Sequence, residues 1–265
     1  MGVSGMKKYC FGVDIGGTTV KIGLFDETGN VLDKWEIPTR TEEEGKNILP
    51  DIAKSLSGKL EEKQISREAV TGVGLGAPGP IDKNGIVHKA VNLWWGVFSI
   101  KDILEELCGL PVRCGNDANV AALGEMWKGG GQGYRNLVLV TLGTGVGGGV
   151  IVNGETLSGS IGAGGEIGHI HIQDGEEDIC GCGNHGCLEQ YASATGIVRL
   201  AKRRLKATDE ESVLRGSEVS AKAVFDAVKA GDEVAIQIAE EFGEYLGKGL
   251  AAVATVVNPE AFVIG

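Results

Sequence analysis

Twice in this chain a short apolar strand runs into a glycine turn and leaves it as a second strand, not as a helix. The first passage is Tyr9–Ile15, then Gly16-Gly17, then an alternating run over residues 18–25, with Asp26-Glu27-Thr28-Gly29-Asn30 turning the chain into residues 31–37. The second is Leu137–Leu142, then Gly143-Thr144-Gly145, then residues 147–152, closed by Asn153-Gly154. Period-two patterning bounded by glycine predicts strand, turn, strand in both places. A Rossmann turn or a P-loop needs a helix N-terminus after its glycines, so neither accounts for these passages. What remains is a chain of two halves on one plan.

The rest of the pattern is mixed α/β. Ile48, Ile52, Leu56 and Leu60 recur at i+4 and predict a helix over residues 42–63. Residues 70–75 read as a strand that Gly76-Ala77-Pro78-Gly79-Pro80 cannot continue. A short helix over 100–107 and a strand over 111–114 follow, and Asp117 is placed to cap a helix through Val120 and Leu123 to Trp127. Helices are expected over 192–205, 220–229 and 232–257, the last carrying Gly243, Gly247 and Gly249, each costing up to about 1 kcal/mol against alanine. A final strand over 261–264 stops at Gly265, where a loop and another element are expected, so the chain reads as cut short. The domains are expected at 1–120 and 121–265.

Composition narrows the function. With 25 basic against 36 acidic residues, a net charge of −11, the chain is a poor partner for nucleic acid, whose affinity rests on Lys and Arg at phosphates. The densest basic tract, Lys202-Arg203-Arg204, reads as a solvated helix face. No apolar run approaches a membrane span of about 18 residues, and Asp14 interrupts the stretch after Met1–Cys10 before any signal-peptide core forms. A cytoplasmic protein is expected. Of the six cysteines, Cys10, Cys108 and Cys114 read as small core residues, while Cys180, Cys182 and Cys187 cluster as a metal site does.

Four motifs carry chemistry. Asp14-Ile15-Gly16-Gly17-Thr18-Thr19 offers backbone N–H groups and hydroxyls to a phosphate, with Asp14 able to hold Mg²⁺ through water. Leu142-Gly143-Thr144-Gly145-Val146-Gly147-Gly148-Gly149 repeats that layout, and the two together read as opposing clamps on a polyphosphate. Gly115-Asn116-Asp117-Ala118-Asn119 lies between strand and helix. There Asp117 is either an N-cap or a carboxylate that takes a proton from an attacking hydroxyl. The spacing Cys180-x-Cys182-x₄-Cys187 supplies three thiolates for tetrahedral zinc, with His169, His171 and His185 near enough to be the fourth ligand, and such a closed site is structural. Gly165-Glu166-Ile167-Gly168-His169 and Leu188-Glu189 flank the cluster with groups that can read sugar hydroxyls; Glu155, Glu176 and Glu177 read as surface charges. Within residues 143–187, 15 of 45 are glycine, so this stretch is expected to be mostly loop and to hold the site.

On these motifs, in this order and over nearly the whole length, the chain resembles the ROK family (repressors, open reading frames, kinases) of the actin-like ATPase superfamily, and within it the sugar kinases. The resemblance implies an actin-like (ribonuclease H-like) two-domain α/β fold, each domain with a mixed five-stranded sheet flanked by helices, closing over a cleft. It implies that ATP phosphates bind at Gly12, Asp14, Gly16, Gly17, Thr18 and Thr19 and at Gly143, Thr144, Gly145, Gly147 and Gly148, with Mg²⁺. It makes Asp117 the catalytic base and gives the sugar to Asn116, Glu166, His169 and Glu189, with Gly79 and Asn92 also at the sugar. It assigns a structural Zn²⁺ to His169, Cys180, Cys182 and Cys187, so that His169 would bind metal with one ring nitrogen and meet sugar with the other. The implied reaction is phosphorylation of a hexose at its 6-hydroxyl at the entry to glycolysis. Glucose is the first choice, with mannose, fructose and N-acetylated hexosamines as alternatives. Family members continue beyond the position of Gly265 with residues that help hold the adenosine. Homo-oligomers, dimers or tetramers, are expected. A sugar-sensing regulator of the family is the other reading. Such repressors carry an N-terminal helix-turn-helix, and a first strand beginning by residue 9 leaves no room for one.

Overall fold

Alternation sets the first sheet. In β1 (Tyr9–Ile15) Phe11, Val13 and Ile15 are buried, while Gly12 and Asp14 point to the other face. The structure, a computed structural model, describes residues 8–216 and 218–265, so residues 1–7 of the stretch read for a targeting signal lie outside the described residues. The chain forms two compact units. One runs to Leu123 and takes in Leu157–Gly164; the other comprises Gly124–Thr156 and Gly165–Gly265.

In the first unit β1 pairs antiparallel with β2 (Thr19–Asp26), which pairs antiparallel with β3 (Val31–Pro38). On its other side β1 runs parallel to β4 (Val70–Ala77). A small hairpin of β5 (Ile86–Val87) and β6 (Phe98–Ser99) intervenes, and β7 (Val112–Asn116) then adds parallel to β4, giving the order β3-β2-β1-β4-β7. Helices α1 (Ile48–Lys63) and α2 (Ile100–Cys108) bury Ile52, Leu56 and Leu104 in one cluster with Phe11, Val13 and Leu75. Helix α3 (Asp117–Lys128) follows β7 without a loop. The helix expected from residue 42 starts only at Ile48. Glu43, Glu44 and Gly45 take left-handed φ values of 53°, 60° and 67°, and a Cβ at Gly45 would lie 2.7 Å from both Leu93 O and Trp95 Nε1. That tertiary contact, invisible to periodicity, overrides helix propensity there.

The second unit repeats the opening plan. Strand β8 (Leu137–Leu142) pairs antiparallel with β9 (Val146–Val152), β10 (Glu155–Thr156) adds beyond β9, and β11 (Ala261–Ile264) runs parallel to β8. The order β10-β9-β8-β11 is that of β3-β2-β1-β4. The resemblance implies five strands here. Among the described residues there are four, with no described strand beyond β11 where β7 lies beyond β4.

The helical part of this unit is α4 (Glu189–Ala192), α5 (Ala194–Ala207), α6 (Ala221–Lys229) and α7 (Glu233–Val257). The sequence reading runs a single helix over 192–205. The backbone instead breaks at Ser193, whose hydroxyl accepts the Gly196 N–H at 2.9 Å and caps α5. Ser220 and Asp232 cap α6 and α7 in the same way. Of the three glycines in α7, only Gly249 has a close neighbour: a Cβ there would lie 2.5 Å from Leu188 Cδ2. Among the described residues no helix is long and apolar enough to cross a membrane.

Candidate functional site

Each unit carries part of the predicted site. In the first, the turn after β1 is closed by the Gly16 N–H donating to Thr19 O at 3.0 Å. Thr39 secures it from outside, its N–H donating to Thr18 O at 2.9 Å and its hydroxyl to Gly16 O at 2.7 Å. Gly17 and Thr18 stay exposed at the end of the sheet. Gly12 is set apart from this turn. It lies inside β1, paired with Gly23 and Gly74, where a Cβ would lie 3.0 Å from the Phe25 ring.

Register brings the carboxylates together. Asp14 of β1 pairs with Gly76 of β4, and Gly76 with Gly115 of β7. Asp117 lies against this strand: a Cβ at Gly76 would be in ordinary contact with Asp117 Cα, 3.5 Å away. The capping expected of Asp117 is carried by its neighbour. Asn116 Oδ1 accepts the N–H groups of Ala118 at 3.0 Å and Asn119 at 3.2 Å, the N-cap geometry for α3. Asp117 Oδ1 takes a further bond from the Ala118 N–H at 2.7 Å. The carboxyl stays open to solvent on one side. Even so, its pKa is raised above the usual carboxylate range. Desolvation is the main cause and the charge of Asp14 adds to it, against the lowering bonds from Ala118 and Asn116.

Asn116 also donates from Nδ2 to Gly79 O at 3.2 Å. Gly79 needs to be glycine: its φ is 88°, and a Cβ would lie 2.2 Å from Lys89 O. That contact seats the chain leading into the short turn Val91–Leu93, so Gly79 and Asn116 are in contact and the exposed Asn92 lies two residues beyond the packed Ala90.

In the second unit Gly143 and Thr144 form the turn, the Gly143 N–H donating to Gly145 O at 3.0 Å and the Thr195 hydroxyl to Thr144 O at 2.8 Å. Gly147 and Gly148 belong to β9, within the strand expected over 147–152. A Cβ at Gly148 would lie 2.4 Å from Gly165 O, and one at Gly168 2.2 Å from Val146 O. These bare positions let the Glu166–His169 segment lie directly on β9. Glu189, at the start of α4, reaches the same place: its Oε2 accepts the Val146 N–H at 3.1 Å.

His169, Cys180, Cys182 and Cys187 come together with their ligand atoms all within 4.8 Å of one another. Of the three histidines left open by the spacing, His169 joins the cluster. His171 instead bonds His185 O and Asp174, each at 2.9 Å. The donor set fits zinc. Cys182 and Cys187 sulfurs are 3.6 Å apart, and Cys180 Sγ is 3.6 Å from His169 Nδ1. Bonds of about 2.3 Å in a tetrahedron put sulfurs roughly 3.8 Å apart. Burial, then the neighbouring thiols, pushes Cys187 up to about 12, so these sulfurs cannot all ionise without a cation among them. His169 Nδ1 faces the sulfurs, and Nε2 lies 3.9 Å from Glu166 Oε2. Glu189 Oε1 accepts from the Cys180 thiol at 3.8 Å, tying the cysteine loop, the Glu166–His169 segment and the glycine turn into one assembly.

Two surface readings are corrected. The Glu176 side chain is 1% exposed. It accepts bonds from Arg199 at 2.9 Å, from Arg203 at 2.7 and 3.0 Å, and from the Tyr191 hydroxyl. Of the tract read as a solvated face, Arg204 is half-buried and bonds Gln237, whereas Lys202 and Arg203 are exposed as expected, Arg203 while reaching Glu176. Glu155 and Glu177 are exposed as expected. No sequence signal marks Glu176, since its side-chain partners lie 15 to 27 residues away.

A sequence model of the ROK family matches residues 10–265. The chain is 44% identical over 97% of its length to a glucokinase of Halalkalibacterium halodurans, covering 80% of that enzyme. Its fold matches the crystal structure of a ROK family glucokinase from Streptomyces griseus in complex with glucose and AMPPNP. That match has a TM-score of 0.74 and 38% identity over 97% of this chain and 82% of that one. It also matches a ROK family transcriptional regulator described as a homologue of the E. coli MLC protein, with a TM-score of 0.86 and 29% identity over 98% of this chain and 66% of that one.

Proposed function

The chain belongs to the ROK family, with its actin-like α/β fold, and from that premise we propose that it is an ATP-dependent hexose kinase that converts glucose to glucose 6-phosphate. The observation that carries the reading is the arrangement at the end of β7. Asn116 caps α3, which leaves the Asp117 carboxylate to act on a substrate hydroxyl. Asp117 accepts the proton of the 6-hydroxyl as that oxygen bonds the γ-phosphorus and the bond to the β-phosphate oxygen breaks, releasing ADP. The glycine turns at Gly16–Thr19 and Gly143–Gly145 bind the phosphates, and Asp14 binds the hydrated Mg²⁺ that offsets their charge. Asn116, Glu166, His169 and Glu189, with Gly79 and Asn92, take the sugar hydroxyls. Zinc held by His169, Cys180, Cys182 and Cys187 supplies a rigid anchor for the loop. The reading carries with it a cytoplasmic location.

The test is ADP release from Mg-ATP with glucose, mannose, fructose and N-acetylglucosamine on zinc-replete protein. Glucose is expected to give the highest kcat/KM. No ADP with any sugar, alongside intact sugar binding, would replace the kinase with a sugar sensor, the reading favoured by the TM-score of 0.86 to the regulator.

The contact between Glu189 and the second turn gives a further expectation. A Cβ at Gly145 would lie 2.0 Å from Glu189 Oε2. Gly145→Ala must therefore push the carboxylate away from the Val146 N–H. Steady-state kinetics are expected to show kcat/KM for glucose lowered by about 10- to 100-fold, the order that misplacing a substrate-orienting group costs. A parent-like value would remove Glu189 from the sugar site.

A further inference from the structure

We propose that Glu176 is a positioning residue: clasped by Arg199 and Arg203 and bonded by the Tyr191 hydroxyl, it fixes α4 so that Glu189 meets glucose at the right place. The inference rests on the reading of Glu189 as a glucose ligand and adds to it what sets that residue's geometry.

Helix α4 is four residues long, a single turn that cannot hold itself in water. Its orientation must come from outside, and its first three side chains show how. Glu189 bonds the Val146 N–H and the Cys180 thiol. Gln190 bridges the Cys187 N–H at 3.0 Å and Asp178 O at 2.9 Å. Tyr191, 2% exposed, stacks on Tyr245 of α7 at 4.2 Å and donates its hydroxyl to Glu176. Leu188, just before α4, is pinned under Gly249. Tyr191 meets α5 directly, where a Cβ at Gly196 would lie 2.7 Å from its carbonyl carbon, and its bond to Glu176 extends that tie to Arg199 and Arg203, which also bond Asp178. Arg199 also lies over the Tyr191 ring, 4.8 Å from its centroid.

The chemistry of the clasp points the same way. A buried ion pair contributes little net stability, because desolvation offsets the attraction, and apolar residues of equal volume would often hold the fold as well. What the carboxylate does supply is direction: the Arg203 fork bonds both its oxygens and fixes its plane, while Arg199 divides its nitrogens between Glu176 and Asp178. Glu176 also accepts the Asp178 N–H at 3.0 Å, which ties the entry of the metal loop to the same point. A small change at Glu176 is therefore passed through the Tyr191 hydroxyl to Glu189, two residues away.

The test compares zinc-replete parent, Tyr191→Phe and Glu176→Gln by zinc content, melting temperature and separate KM values for glucose and ATP. Tyr191→Phe keeps the ring stack and removes only the hydroxyl. Its glucose KM is expected to rise about fivefold, with ATP KM, kcat and zinc near parent values, as for loss of one charge-assisted hydrogen bond acting on ground-state binding. Glu176→Gln is expected to raise glucose KM at least tenfold. A purely structural clasp would lower melting temperature or active fraction and leave KM alone. Parent-like glucose KM in Tyr191→Phe overturns the inference, even if Glu176→Gln fails to fold. A parent without glucose-dependent ADP release overturns the kinase reading and this inference with it, whereas an active parent with unchanged variants overturns this inference alone.

Discussion

Asp117→Asn is expected to lower kcat for glucose by about 10²- to 10⁴-fold, the contribution of a positioned general base, while the glucose dissociation constant stays within about twofold. The substitution suits the question because asparagine keeps an oxygen for the Ala118 N–H, and the cap on α3 belongs to Asn116 and is untouched. Single-turnover rates and calorimetric glucose binding on the same sample separate the two effects. A variant that turns over at parent rates would remove Asp117 from the chemistry.

The raised pKa of Asp117 adds two signs that can be checked. The base must be ionised to accept a proton, so the acid limb of kcat/KM is expected above the ordinary aspartate value of about 3.9. Stability runs the other way. A carboxyl whose pKa is raised by folding favours the native state at low pH and loses that contribution as pH rises through the folded-state value. At neutral pH the ionised Asp117 is thus a liability to the fold, set beside Asp14, and Asp117→Asn is expected to raise the melting temperature there. Loss of activity with a gain in melting temperature is the signature of a site residue and cannot come from misfolding.

What could be read from the sequence was whatever depends on near neighbours. The alternation in β1 and the glycines after it fix strand, turn and strand. The same pattern at Leu137–Leu142 yields a second sheet with the same strand order. The cysteine spacing marks the cluster that His169 completes, because side chains from one loop must lie close in sequence. What escaped depends on contacts across the fold. The start of α1 is displaced because Gly45 packs under Leu93 and Trp95. Helix α4 is too short for periodicity to register, and Ser193 separates it from α5. Glu176 looked like one more acidic residue among Glu177 and Asp178, and only the fold brings α5's arginines to it. Asn116 and Asp117 show the finer limit. Both are good capping residues at a helix start, and only the hydrogen bonds decide that Asn116 is the one that caps.

Cys182→Ser is expected to reduce zinc from about one per chain to near zero and to raise glucose KM more than tenfold, with ATP KM little changed. From Asp174 to His185 the one buried apolar residue is Cys180, the Glu176 side chain being buried as a carboxylate among its arginines, and Gly175 and Gly183 adopt left-handed φ values of 74° and 91°. Such a segment has no apolar core to offset its chain entropy, so its order must come from the ligands and the bonds at its ends. Cys182 is the exposed ligand of the four, which makes its loss a test of coordination more than of packing. A serine hydroxyl is not ionised at neutral pH and is a poor replacement for thiolate on zinc. Without the metal, Cys180 and Cys187 revert to thiols with raised pKa values, and His169 loses what orients its ring. The sugar site then feels the loss twice, through His169 beside Glu166 and through Glu189 beside the Cys180 sulfur. The glycine turns have hydrogen bonds of their own to Thr39 and Thr195, so the nucleotide side is spared. Metal analysis and paired KM values decide the matter. Equal zinc in variant and parent would refute the ligand set, and zinc lost with glucose KM unchanged would uncouple the metal from the sugar.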